Sequence, residues 1–155
     1  MPATPTDERI REIIAEHVTL EGPLLPIFHA LQAEWGHVPG IATPLIADAL
    51  NITQAEVHGV MSFYHDFRSA PAGRHVVKIC RAEACQSVGG EAISARAMKL
   101  LGVDWHGTTK NGAVTLEPVF CLGLCACGPA AMVDGRVVGR VDVAKLERIL
   151  TEAMA

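Results

Sequence analysis

His75-Val76-Val77-Lys78-Ile79-Cys80-Arg81-Ala82-Glu83-Ala84-Cys85 carries both the change of architecture in this chain and half of its thiol chemistry. Its first six residues are an apolar, β-branched run that reads as a mostly buried strand. Just upstream, Ser69-Ala70-Pro71-Ala72-Gly73 is a breaker-rich joint, and the hydrophobic period differs on its two sides. Residues 1–70 are therefore expected to form an N-terminal helical region and residues 71–155 an α/β domain.

Downstream of the strand, a helix is expected from about Gly89 to Leu101, with Ile93, Ala97, Leu100 and Leu101 on one side and Gly102 as its stop. Residues 113–117 read as a second strand, and residues 132–138 as a hairpin turning at Asp134-Gly135. Asp142 caps a final helix carrying Leu146, Ile149, Leu150 and Ala153. The order is βαβ followed by ββα. A strand–helix–strand unit of this length joins parallel strands, which end on the same edge of a sheet. Cys80 closes the first strand and Cys121 follows the second by a few residues. Both thiol loops are thus expected outside the carboxyl ends of neighbouring strands, where open α/β sheets build sites.

Upstream of the joint the period is helical. Residues 1–6 read as a tail, and a first helix starts near Thr6 or Asp7 with Ile10, Ile13, Ile14 and His17 in one stripe. Glu21-Gly22-Pro23 breaks it. A second helix carries Leu24, Phe28, Leu31 and Trp35 and stops at Gly36. Thr43-Pro44 is read as N-cap and first residue of a short third helix ending at Asn51. Thr53-Gln54-Ala55-Glu56 has capping-box spacing and opens a fourth, with Val57, Val60, Met61 and Tyr64 on one face. Phe63, Tyr64 and Phe67 are read as packing between the helical part and its neighbour, and the helical region as a docking surface for a partner. His29, His58 and His65 sit in helical stretches and are given structural or surface roles.

The 155 residues are half apolar and 19% charged, with a net charge of −4 and no Lys/Arg run, so the chain is globular and offers nucleic acid little to hold. Neither a secretory leader nor a membrane-spanning run is recognisable, and the expected location is cytoplasmic. In a reducing compartment, clustered cysteines bind metal or do chemistry more often than they form disulfides. All five cysteines fall in Cys80–Cys85 or Cys121–Cys127. On ligand type and spacing alone, four thiolates suit either an iron–sulfur cluster or a structural zinc, the latter making the protein a zinc-stapled adaptor. Gly89, Gly90, Gly123 and Gly128 would allow close backbone approach to the sulfurs. Arg81 and Lys78 would favour a reduced anionic centre if they reached it, and are otherwise surface charges.

These residues resemble a known family. The stretches LLPIFHALQAEWGHVP (24–39), AEVHGVMSFYHDFR (55–68), HVVKICRAEAC (75–85) and VFCLGLCACGPA (119–130), with C-x4-C followed by C-x3-C, are similar to the thioredoxin-like [2Fe-2S] subunit of respiratory complex I. The same module occurs in NAD-linked hydrogenases and NAD-dependent formate dehydrogenases. The resemblance implies an α/β fold, an N-terminal helical bundle followed by a thioredoxin-like [2Fe-2S] ferredoxin domain. By position it implies Cys80, Cys85, Cys121 and Cys125 as ligands of one [2Fe-2S] cluster, with no catalytic residue and no substrate site in this chain. FMN, NAD and a molybdenum or tungsten pterin are implied in partner subunits only: a flavoprotein and a large formate-oxidising subunit. The short chain and the loop CLGLCACGPA look most like the gamma subunit of the formate enzyme, with complex I or hydrogenase as the alternative hosts. Two features depart from the pattern. Gly128 stands where many members have alanine before proline, and Cys127 is extra: a buried small residue, a thiol beside the ligands, or a redox partner of Cys125. A thioredoxin-type oxidoreductase would need a reactive CxxC at a helix start, which the chain lacks.

Overall fold

The computed structural model describes residues 4–155, so the first three residues of the expected tail lie outside the described residues. The chain forms two compact units, Met1–Pro71 and Ala72–Ala155.

The first unit is four helices. α1 (Asp7–His17) starts at Thr6, whose hydroxyl accepts the Arg9 N–H at 3.3 Å, and Asp7 and Glu8 complement the helix dipole in its first turn. α2 (Leu24–Trp35) ends at Gly36 with φ 74°. α3 spans Ala42–Leu50 and stops at Asn51, in the left-handed region. Thr43 is not its cap. Ala42 and Thr43 already donate to the carbonyls of Pro39 and Gly40, so the helical turn begins at the Pro-Gly pair and Ile41 takes the cap position without a side-chain bond. Pro44 then lies within the first turn, where its missing N–H has no intrahelical partner to lose. α4 (Gln54–Phe63) has the full capping box: Thr53 accepts the Glu56 N–H and the Glu56 carboxylate accepts the Thr53 N–H at 2.8 Å.

The expected stripes close on one core of Ile10, Ile13, Ile14, Ile27, Phe28, Leu31, Trp35, Ile46 and Val57. Phe67 joins it edge-on to Phe28 and His29, with ring centroids 5.1 and 4.9 Å apart. Phe63, the last residue of α4, and Tyr64, which leaves the helical path, are 74% and 44% exposed.

The second unit is built on a four-stranded sheet. β1 (His75–Cys80) and β2 (Val114–Val119) are parallel, β3 (Ala131–Val133) is antiparallel to β1, and β4 (Arg136–Val138) closes the edge, giving the order β2-β1-β3-β4. α5 (Glu83–Ser87) and α6 (Gly90–Leu101) cross from β1 to β2, and α7 (Val143–Met154) follows the hairpin. The sheet and both long helices share one core, with Val77 and Ile79 of β1, Leu116 of β2, Ile93 and Ala97 of α6, and Leu146 and Leu150 of α7. Arg96 on α6 also donates to Glu147 on α7, Nε to Oε1 at 3.0 Å. The Asp134-Gly135 turn carries a second function. Asp134 accepts the Val76 N–H at 2.8 Å and contacts the His75 imidazole at 2.7 Å, tying the hairpin to the start of β1. Asp142 caps α7 through the Lys145 N–H. Among the described residues no helix is long and apolar enough to cross a membrane.

Candidate metal centre

Register explains why two cysteine pairs distant in the chain meet. Cys80, the last residue of β1, stands directly opposite Val119, the last residue of β2. The Arg81 N–H donates to the Val119 carbonyl at 2.8 Å, extending the parallel pairing one residue beyond the strand. Cys121 lies two residues past Val119, so the thiol loops leave the same sheet edge side by side.

Each loop positions its pair differently. Cys85 sits on α5, a single turn whose first N–H groups fold back on Ala82 (Cys85 N–H to Ala82 carbonyl, 3.0 Å), and α6 starts immediately behind it. Gly90 makes that succession possible. A Cβ there would lie 2.6 Å from the Cys85 carbonyl oxygen. In the second loop Cys121 has φ 87°, a conformation L-residues rarely adopt, and Cys125 opens a 3-10 turn, Cys125–Cys127. Non-glycine residues held in sparse backbone regions cluster at ligand sites, where the surrounding structure over-determines them. Gly123 also has positive φ, 75°, and donates its N–H to Cys121 Sγ at 3.4 Å.

The thiols come as two pairs. Cys121 Sγ and Cys125 Sγ are 3.7 Å apart, and the Cys80 and Cys85 thiols are close enough to shift each other's ionisation. Two thiolates on one tetrahedral metal with bonds of about 2.3 Å stand about 3.8 Å apart. Two adjacent pairs are the arrangement for a binuclear group, two thiolates to each iron.

The electrostatics fit the same group. Burial pushes the Cys80 thiol up, but main-chain donors at Ala82, Cys121 and Leu122, with the Cys85 thiol, outweigh it and hold the pKa below the ordinary thiol value. Cys85 is raised by burial, then by Cys80, with the Ala130 main chain pulling the other way. Cys125 is raised chiefly by its contact with Cys121 and by the charge that thiol would carry. Crowded thiols resist ionising together, and metal cations sharing their charge remove that penalty. Donor type, pairing and mutual electrostatics all fit a [2Fe-2S] cluster.

Burial divides the site. Cys80 and Cys85 are 2% and 1% exposed, in a small apolar cluster with Ala130, Val119, Leu122 and Leu124. Cys121 and Cys125 are exposed, as is Phe120 at 73%.

The family model for thioredoxin-like [2Fe-2S] ferredoxins matches residues 10–154. The chain belongs to the thioredoxin-like [2Fe-2S] ferredoxin family. The cofactor of this family is one [2Fe-2S] cluster. Relatives include a subunit of the NADH-quinone oxidoreductase of Pseudomonas aeruginosa, 39% identical over 119 residues, 75% of this chain and 72% of that one. The HndA subunit of the NADP-reducing hydrogenase of Solidesulfovibrio fructosivorans is 30% identical over 132 residues, 85% of this chain and 77% of that one. The corresponding NADH-quinone oxidoreductase subunit of Mycobacterium bovis is 36% identical over 124 residues, and although these make up 80% of this chain, the chain spans about half that relative's length, 49%. Crystals of an NAD+-reducing [NiFe]-hydrogenase contain a region of the same fold, with TM-score 0.70 and 21% identity over 84% of this chain and 22% of that one.

Sequence reasoning did not anticipate α5, the left-handed Cys121 or the Ala130 contact to Cys85. Nothing in the local sequence of Cys121 signals positive φ, a conformation that cysteine does not itself favour. Arg81 turns to the indole of Trp105, its guanidinium carbon 5.4 Å from the ring centroid. Cys127 is half-buried and stands outside both pairs.

Proposed function

We propose that Cys80, Cys85, Cys121 and Cys125 hold one [2Fe-2S] cluster and that the chain is an electron-transfer subunit of an NAD-linked oxidoreductase complex. The arrangement of the four thiols as two pairs at one sheet edge carries this reading. Such a cluster supplies one-electron carriage at a potential set by hydrogen bonding and exposure. The chain's own residues set both quantities. Main-chain donors at Ala82, Leu122 and Gly123 place positive dipole ends on thiolate sulfur and favour added negative charge. The apolar cluster around Cys80 and Cys85 keeps water from the inner pair, while the exposed Cys121 and Cys125 leave one side open to an electron partner. No residue of the chain acts on a substrate in this reading. Substrate and NAD chemistry belong to partner subunits, among them a flavoprotein that binds FMN and NAD.

The host in this proposal is a cytoplasmic NAD-dependent formate dehydrogenase, in which a large molybdenum or tungsten subunit oxidises formate to carbon dioxide. The likeness of residues 121–130 to the gamma subunit of that enzyme supports it. A second reading, a complex I or hydrogenase host, is favoured by the names of the relatives in Pseudomonas aeruginosa and Solidesulfovibrio fructosivorans. Affinity purification of the chain from its own cells separates them. Recovery of a flavoprotein and a molybdenum or tungsten subunit with formate-dependent NAD+ reduction is expected. Recovery of membrane subunits or a nickel–iron subunit instead would refute the formate host.

A further inference from the structure

The fifth cysteine points to how the outer thiol pair is held. Cys127 is tied through its main chain. Its N–H donates to the Leu124 carbonyl at 2.8 Å, and its own carbonyl accepts the Arg140 N–H at 2.5 Å. Two residues on, the Pro129 carbonyl accepts the Val141 N–H at 2.9 Å. The β3–β4 hairpin pairs Ala131 with Val138, so these bonds continue its pairing past the strand ends and up to the Cys125–Cys127 turn. Gly139 is the point of contact. A Cβ at residue 139 would lie 2.9 Å from Cys127 Cβ and 2.9 Å from the Cys127 carbonyl oxygen, so no other residue fits without moving the cysteine loop. Lys145 of α7 closes the arrangement from behind, its Nζ donating to the Gly139 carbonyl at 2.7 Å.

We propose that Gly139, braced by Lys145, is a positioning residue for the cluster: it clamps Cys127 by its main chain and so sets where Cys125 and Cys121 present their sulfurs. This rests on the reading that those two cysteines are ligands. The Cys127 thiol has no part in it. The loop is fixed at two ends, by the β2 strand before Cys121 and by the clamp after Cys125, and the outer iron's ligands lie between. Moving the clamp changes sulfur geometry and the N–H···S contact at Gly123, which together tune the potential.

The test uses the full chain with its cluster, comparing midpoint potential, EPR g values of the reduced protein and cluster loss to a chelator. Gly139→Ala is expected to shift the potential and g values and to lose its cluster severalfold faster. Lys145→Met, which adds no atom to the clamp, is expected to shift both in the same direction by less. Cys127→Ala keeps Cβ and carbonyl and is expected to match the wild type. Val137→Ala, which weakens the exposed face of β4 without touching the clamp, controls for stability and is expected to leave the spectroscopic readouts unchanged. A folded, loaded Gly139→Ala with wild-type potential and g values overturns the inference, as does a shift in Cys127→Ala as large as that of Gly139→Ala. Should Gly139→Ala fail to fold, Lys145→Met decides: a shift supports the clamp and wild-type values overturn it. A wild-type chain without a [2Fe-2S] signal fails at the first measurement, removing the ligand reading and this inference with it.

Discussion

Gly90→Ala and Gly59→Ala are the same chemical change at two helical glycines, and packing predicts opposite outcomes. In a helix, glycine to alanine gains up to about 1 kcal/mol from backbone entropy and propensity. Gly59, within α4, has open space where the methyl would go, and its φ is not in the left-handed region, so the gain should be realised. Gly90, at the start of α6, has Cys85 against it: the methyl would stand 2.6 Å from the carbonyl oxygen and 2.9 Å from the carbonyl carbon. The shorter distance is about 0.8 Å inside the 3.4 Å at which ordinary contact begins, and both atoms are backbone. Overpacking of this kind costs about 1–3 kcal/mol, leaving a net loss of up to about 2 kcal/mol after the helical gain. For a chain of this size that is a fall in Tm of up to about 8 °C for Gly90→Ala, against a rise of about 1–4 °C for Gly59→Ala. Thermal unfolding followed by circular dichroism reads both. Relief of the overlap must also displace Cys85, so Gly90→Ala should bind its cluster less completely. Equal stabilisation of the two variants, with full cluster content in Gly90→Ala, would refute the packing of α6 on the Cys85 turn.

Two further perturbations test the frame around the site. Thr53→Ala removes the side-chain cap of α4 and the hydroxyl donor to Glu56, and should lower stability by about 1 kcal/mol, seen as a lower urea midpoint at unchanged m; an unchanged midpoint would mean the threonine hydroxyl contributes nothing. For Asp134, burial alone would raise the pKa, but the His75 imidazole and the Val76 N–H outweigh it and hold the carboxyl below its ordinary value. A depressed carboxyl pKa stabilises the fold above the unfolded value of about 3.9, and that contribution disappears as pH falls through the lower folded value. Asp134→Asn should therefore be less stable than wild type at pH 7, by an amount that solvent screening of the half-exposed pair keeps small, with the gap narrowing below about pH 4. A gap independent of pH from 7 to 3 would contradict this.

The periodic elements were legible because one physical rule places each of them. Helical stripes such as Ile10/Ile13/Ile14 and Leu24/Phe28/Leu31/Trp35 enter a single core, and the apolar run at 75–80 becomes a central strand. Asp-Gly at 134–135 marks the hairpin, and Thr53 and Asp142 mark helix starts, because their chemistry is local. Thr43 misled because the Pro39 and Gly40 carbonyls, four and three residues upstream, had already captured the first N–H groups. Tyr64 extends the Val57/Val60/Met61 stripe past the point where the helix ends, and pattern alone does not mark that end. At the candidate site, the parallel pairing that brings Cys80 beside the Cys121 loop follows from connection length. The pairing of thiols, the strained Cys121 backbone and the Gly139 clamp depend on contacts between segments distant in sequence, which no local window contains.

The central claim is that two cysteine pairs hold one binuclear iron–sulfur group. Its most direct test is iron, acid-labile sulfide and zinc analysis of the full chain purified without oxygen, with EPR after reduction. The expected result is about two irons and about two sulfides per chain, negligible zinc and an EPR signal of a reduced [2Fe-2S] centre, lost in Cys80→Ala, Cys85→Ala and Cys121→Ala. Stoichiometric zinc with no sulfide, from cells able to assemble clusters, would contradict it.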